Sequence, residues 1–184
     1  GILDGEYANG KIATIKNIGK IGVEVKNTLF YKLNNAQVLN LSIDGFVQNI
    51  DKKNVTENAY ITGLIGRTTK GTVINNVHIN NAKITTKTTN NNSDTFYISG
   101  LVANAEGTTI ENCSVSYIND GTANISDING NKLSSATIGG LVGNAQETKI
   151  LNCFARDIFV NIKIGTSNGI GGIVGRFTGE IIGC

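Results

Sequence analysis

Short apolar runs carrying glycine alternate along the chain with polar breaks and with apolar pairs that end near Asn or Cys. The clearest runs are Ile61-Thr62-Gly63-Leu64-Ile65-Gly66, Ile98-Ser99-Gly100-Leu101-Val102-Ala103, Ile138-Gly139-Gly140-Leu141-Val142-Gly143 and Ile170-Gly171-Gly172-Ile173-Val174-Gly175. They recur at intervals of roughly 30–40 residues, the mark of a stacked array. Residues 98–113 and 138–153 align without a gap, each closing on Asn-Cys, and 61–76 follows them, closing on Asn75-Asn76. The copy over 170–184 is one residue shorter in its polar break. A diverged copy covers 29–41, and 12–18 resembles the second half of a sixth.

Each copy predicts two short β-strands joined by a tight polar turn. The second strand alternates, as in Val73-x-Asn75-x-Val77-x-Ile79, which is the period of a half-buried strand. β-branched residues and Gly dominate and no helical stripe persists, so helix is disfavoured. A strand pair of this size cannot bury its apolar face alone and must stack on its neighbours. The expected fold is all-β: one domain over 1–184, a right-handed parallel β-helix (a solenoid) of about six coils, the handedness following the rule for parallel crossovers. Ile61, Ile98, Ile138 and Ile170 would line one inner column, and Leu64, Leu101, Leu141 and Ile173 another. Columns Gly63, Gly100, Gly140, Gly172 and Gly66, Gly143, Gly175 read as corners or close approaches. Nothing near them has a phosphate-cradle pattern. Polar excursions at 47–60, 85–96, 118–135 and 161–169 are expected to supply a third strand per coil and projecting loops.

Composition narrows the function classes. A formal charge of +2 with scattered lysines implies neither a nucleic-acid partner nor a membrane surface, and no apolar run is long enough to span a bilayer. The chain opens on Gly1 and contains no Met, so it reads as a segment of a longer protein.

Little in the chain looks like a reaction centre. Cys113, Cys153 and Cys184 fall at one repeat position, where the 61–76 copy has Asn76. This predicts small side chains in an inward column rather than metal ligands, and parallel Cβ directions disfavour a disulfide. His78, the single histidine, belongs to no catalytic or metal motif and is expected to be solvated. Among the acids, Asp94, Asp120, Asp127 and Asp157 sit in variable segments, while Glu106 and Glu147 share a turn column. They read as solvated turn charges, two acids one coil apart being the alternative that could hold Ca²⁺. Asn40, Asn75, Asn112 and Asn152 read as an Asn ladder or turn-capping column. No catalytic, cofactor-binding or metal-binding residue is assigned, and no cofactor is expected.

The Gly-Leu-x-Gly core of 63–66 and 140–143, followed by a turn and a T-x-I-x-N-C segment, resembles the bacterial GLUG repeat; 172–175 fits with Ile for Leu, and 100–103 departs at Ala103. The lead-in through Leu3-Asp4-Gly5, Ile15-Lys16-Asn17-Ile18 and Leu33-Asn34-Asn35-Ala36-Gln37-Val38-Leu39-Asn40-Leu41 is similar to the one preceding the catalytic domain of streptococcal-type immunoglobulin A1 zinc metallopeptidases and their surface relatives. That resemblance implies a β-helix outside the cell or attached to the bacterial cell wall. It further implies a non-catalytic module acting as a spacer or as a surface for a host protein such as immunoglobulin, or for neighbouring domains of the same chain. The peptidase zinc motif has no match here. An adhesin domain binding host protein or glycan is the alternative, and a polysaccharide-active β-helix enzyme is a further one.

Overall fold

The structure, a computed structural model, describes residues 1–6, 11, 13–16, 28–52, 58–88, 95–127, 132–133, 135–165 and 169–184. Among these no helix occurs, and every strand pairing is parallel. One sheet stacks Phe30–Leu33, Ile65–Thr68, Val102–Glu106, the start of Val142–Leu151 and the start of Val174–Ile182, with Phe30, Ile65, Val102, Val142 and Val174 in register. Five layers make a β-solenoid of about 4 turns rather than the six coils expected. The difference has a simple origin. Ile2–Asp4 and Ala13–Lys16 both pair with Gln37–Asp44, so this part of the chain adds a rung to two faces and not a full turn among the described residues.

The inner columns form as their spacing predicts. Ile61, Ile98, Ile138 and Ile170 are in register, and hydrogen bonds from Ile65 N to Leu101 O and from Leu101 N to Leu141 O hold the neighbouring Leu column in step. Leu64, Leu101 and Leu141 are fully buried, whereas Ile170 at the last layer is 52% exposed. Burying each such side chain stabilises by roughly 1.5–3 kcal/mol, so these columns and the column Val38, Ile74, Ile110, Ile150 dominate the energetics. The third strand per coil is present as well. Val47–Lys52, residues 83–88 of Val73–Thr88, Ile125–Asp127 and Val160–Asn161 form one parallel stack.

Corners between faces use left-handed backbone. Asn40, Asn76, Asn112 and Asn152 have φ of 53°, 55°, 53° and 51°, with Gly183 at 65° after them. Asn tolerates this region better than most residues because its short amide can bond locally. The column therefore contains Asn76 and not Asn75, which instead lies beside Leu39 and Glu111. Likewise Val77, not Asn76, stands level with Cys113, since His78 pairs with Ser114. The slip comes from the turn 69–71, one residue longer than its counterpart 106–107; Gly71 N donates to Gly107 O across it. Glu147 (φ 48°) continues a second corner formed by Asn35, Gly71 and Gly107. Glu106 does not share that column, because its neighbour is Gln146.

Candidate functional site

The polar groups singled out from the sequence are mostly built into the stack. Cys113 and Cys153 are buried free thiols, while the Cys184 thiol, also free, is exposed, contrary to an all-buried column. Cys113 N–H donates to Cys153 Sγ at 3.3 Å and Cys153 N–H to Cys184 Sγ at 3.4 Å. Burial pushes the Cys113 thiol well above its ordinary range, so it is held protonated and inert. Among the described residues no group of three or more His, Cys, Asp and Glu is placed to hold a metal ion.

The acids divide. Asp120 is an exposed turn residue whose carboxylate accepts from Thr122 N and Thr122 Oγ1 and pairs with Lys83 Nζ at 3.0 Å. These bonds, those from Thr122 foremost, hold its pKa down to about 2. Asp157 is exposed at φ 59°. Asp127 is not a solvated turn charge: it is 8% exposed and accepts a hydrogen bond from Thr86 Oγ1 at 2.9 Å. Ile125-Ser126-Asp127 alternates, so Asp127 shares the inward phase of Ile125. Asp94 lies outside the described residues.

His78 is not simply solvated either. On the outer face it sits between Ser114 Oγ, 2.8 Å from Nδ1, and Asn76 Oδ1, 2.9 Å from Nε2. Asn76 Nδ2 passes the chain on to Asn40 Oδ1 at 2.8 Å. Ser114, His78 and Asn76 thus contain the residue types of a nucleophile relay. Ser42 and His78 are register neighbours, as are His78 and Ser114, so the three are rungs of one ladder on a sheet. Desolvation lowers the His78 pKa from 6.5. The unfolded chain then binds the proton more readily between the folded value and 6.5, so stability rises with pH across that window. Stability should be fully present above pH 6.5, fall as the pH drops through it toward the folded pKa, and level off below. Urea unfolding midpoints measured across that range should show this slope in the native chain and lose it in His78→Asn; an equal slope in both would refute the assignment.

A surface that sequence reasoning missed lies on the other side of the stack. Tyr60 and Tyr97 are register neighbours, with ring centroids 5.5 Å apart and planes 12° from parallel. Tyr31 meets Tyr60 edge-on at 6.2 Å and is 64% exposed. In the next layer the column shrinks to Thr137, then Gly169. Beside it runs a second column, Lys32, Arg67, Asn104, Asn144 and Arg176, one residue per layer. Its five rungs span about 19 Å at ordinary strand spacing. Asn144 Nδ2 donates to Asn104 Oδ1 at 2.7 Å, and Arg67 Nη2 to Glu106 Oε2 at 3.3 Å. Arg67 Nε and Thr137 Oγ1 are buried with no hydrogen-bond partner. Burial raises the Tyr97 pKa, opposed by the charges of Arg176 and Arg67. A cleft of about 210 Å³ opens beside Arg176, between Asn144 and Thr178. The sequence signal was present: a Tyr stands immediately before the first Ile of the 61–76 and 98–113 copies.

No family model matches this chain, and neither a curated protein nor a solved structure shows significant similarity to it.

Proposed function

We propose that this chain is a non-catalytic solenoid module of a bacterial surface or secreted protein, spacing its neighbours and offering its lateral face to a partner outside the cell. One observation carries the reading: several of the polar and aromatic side chains that lie together on the outside occupy equivalent positions in successive layers. Tyr60 and Tyr97, Asn104 and Asn144, and Asn40 and Asn76 are such pairs. A reaction centre brings unlike groups from different elements around one point, whereas a ladder repeats one group along an axis and suits an extended contact. Stacked solenoids use their flanks in this way.

The resemblance of Gly63–Gly66 and Gly140–Gly143 to the GLUG repeat supports the same reading and suggests a parent related to immunoglobulin A1 peptidases or to adhesins. Immunoglobulin or another host protein is then the partner to try first. Immobilised chain should retain immunoglobulin or a host glycan from solution and release it unchanged. Release of cleaved polysaccharide or cleaved immunoglobulin at enzyme-like rates would overturn the non-catalytic reading. The parent gene downstream of Cys184 should encode a wall-anchoring signal or an HExxH zinc motif.

A further inference from the structure

We infer that the tyrosine–arginine strip is a binding site for an extended anionic glycan, a chain bearing uronate or sulfate groups. This rests on the non-catalytic reading above and names the ligand of that lateral face. The ladder of Tyr60 and Tyr97 lies against a column whose rungs repeat at the strand spacing, about 4.7–4.9 Å, comparable with one sugar residue of an extended polysaccharide. A linear polymer laid along the stack axis would pass one residue of this column at each rung.

Chemistry supplies the rest. Tyr60 and Tyr97 stack on each other, so the apolar surface left to sugar C–H groups is that of their edges and of Tyr31, 64% exposed. Asn104, half-buried and fixed by a hydrogen bond from the buried Asn144 Nδ2 at 2.7 Å, presents its amide to hydroxyl groups. The column has cations at both ends, Lys32 and Arg67 at one and Arg176 at the other, and no carboxylate within it. Arginine is suited to planar carboxylates and sulfates. The nearby acids are Glu106, already bound to Arg67 at 3.3 Å, and Glu147 at the edge of the cleft. Two polar atoms, Arg67 Nε and Thr137 Oγ1, are buried without partners. Such atoms are uncommon in folded proteins; these two belong to this strip, while three others, on Gln48 and Thr72, lie elsewhere in the stack.

The test is calorimetric titration of the whole chain with three hexasaccharides: an oligogalacturonate, a sulfated glycosaminoglycan fragment and a neutral β-1,4-glucan. Binding of an anionic hexamer, weakening as salt is raised, is the expected result. A response to galacturonate alone or to the sulfated chain alone assigns the anion. Tyr97→Ala and Arg176→Gln should each weaken binding about tenfold, as loss of one aromatic contact or one charge-assisted pair does. Arg176 is exposed, so Arg176→Gln should leave the unfolding temperature unchanged. No binding by either anionic hexamer, equal binding by the neutral one, or unchanged affinity in both variants would each overturn the inference. Retention of immunoglobulin without glycan binding would overturn it too while leaving the module reading in place. Appearance of shortened oligosaccharides would instead sink the non-catalytic reading.

Discussion

Gly140→Ala is expected to destabilise the chain by about 3 kcal/mol, at the upper end for overpacking a core, whereas Gly172→Ala, in the same column, should change stability by less than about 0.5 kcal/mol. A Cβ at position 140 would lie 2.2 Å from Gly172 O, 2.3 Å from Ile158 Cδ1 and 2.8 Å from Ala155 Cβ. The Ile158 methyl can swing away, but the Gly172 carbonyl belongs to the backbone of the corner in the next layer and the Ala155 Cβ to the strand Phe154–Arg156, and neither can swing aside. Relieving the clash means separating layers. Gly140 O accepts from Tyr117 Oη at 2.8 Å and from Gly100 N at 3.2 Å, so any shift also strains a buried hydroxyl and an interlayer bond. A Cβ at Gly172 meets nothing within 4 Å. Thermal and urea unfolding of the two variants decides the matter, and equal effects would mean that the register of this column is wrong.

That contrast shows what was legible. The Gly and Leu columns could be placed because they recur at one phase in each copy, and strand register is enforced wherever a one-residue slip would turn a buried row outward. Turns have no such enforcement. The extra residue in 69–71 left Asn75 aligned with Asn112, although Asn76 is the residue with φ 55°. Two polar neighbours of the same type gave no apolar landmark to correct it. Glu147 is a similar case. Its backbone at φ 48° occupies a position where two other layers have Gly71 and Gly107, and side-chain charge says nothing about the dihedral required.

The lateral strip was illegible for a different reason. Tyr60 and Tyr97 were visible as residues preceding the repeat core, but that Arg67 and Arg176 lie alongside them depends on how sharply the chain turns at Gly63-Leu64 and its equivalents. Only the three-dimensional corner brings the aromatic column of one face against the cationic column of the next. Asp127 could have been placed inward from the alternation of Ile125 and Asp127, had the start of that short strand been known. Its burial against Thr86 follows from strand phase and not from any preference of the carboxylate.

Leu101→Ala tests the stack where it carries most. Leu101 is fully buried in a column between Leu64 and Leu141, and its backbone bonds both neighbours, Ile65 N to Leu101 O and Leu101 N to Leu141 O, each at 3.0 Å. Removing its side chain takes apolar contacts from two interlayer interfaces at once. The strands above and below are pinned by their own ladders and cannot collapse into the space, so the loss should be about 3–5 kcal/mol. Ile173→Ala in the last layer, only partly buried and touching one neighbouring layer, should lose about half as much by nearest-neighbour stacking. Neighbouring rungs also share the cavity that truncation leaves. Leu101→Ala combined with Leu141→Ala should therefore depart from additivity by about 0.5–3 kcal/mol, whereas Leu101→Ala combined with a change at a distant, independent position should add. Urea denaturation of the single and double variants gives both numbers. A Leu101→Ala loss no larger than that of Ile173→Ala would show that the layers are not mechanically coupled through this column.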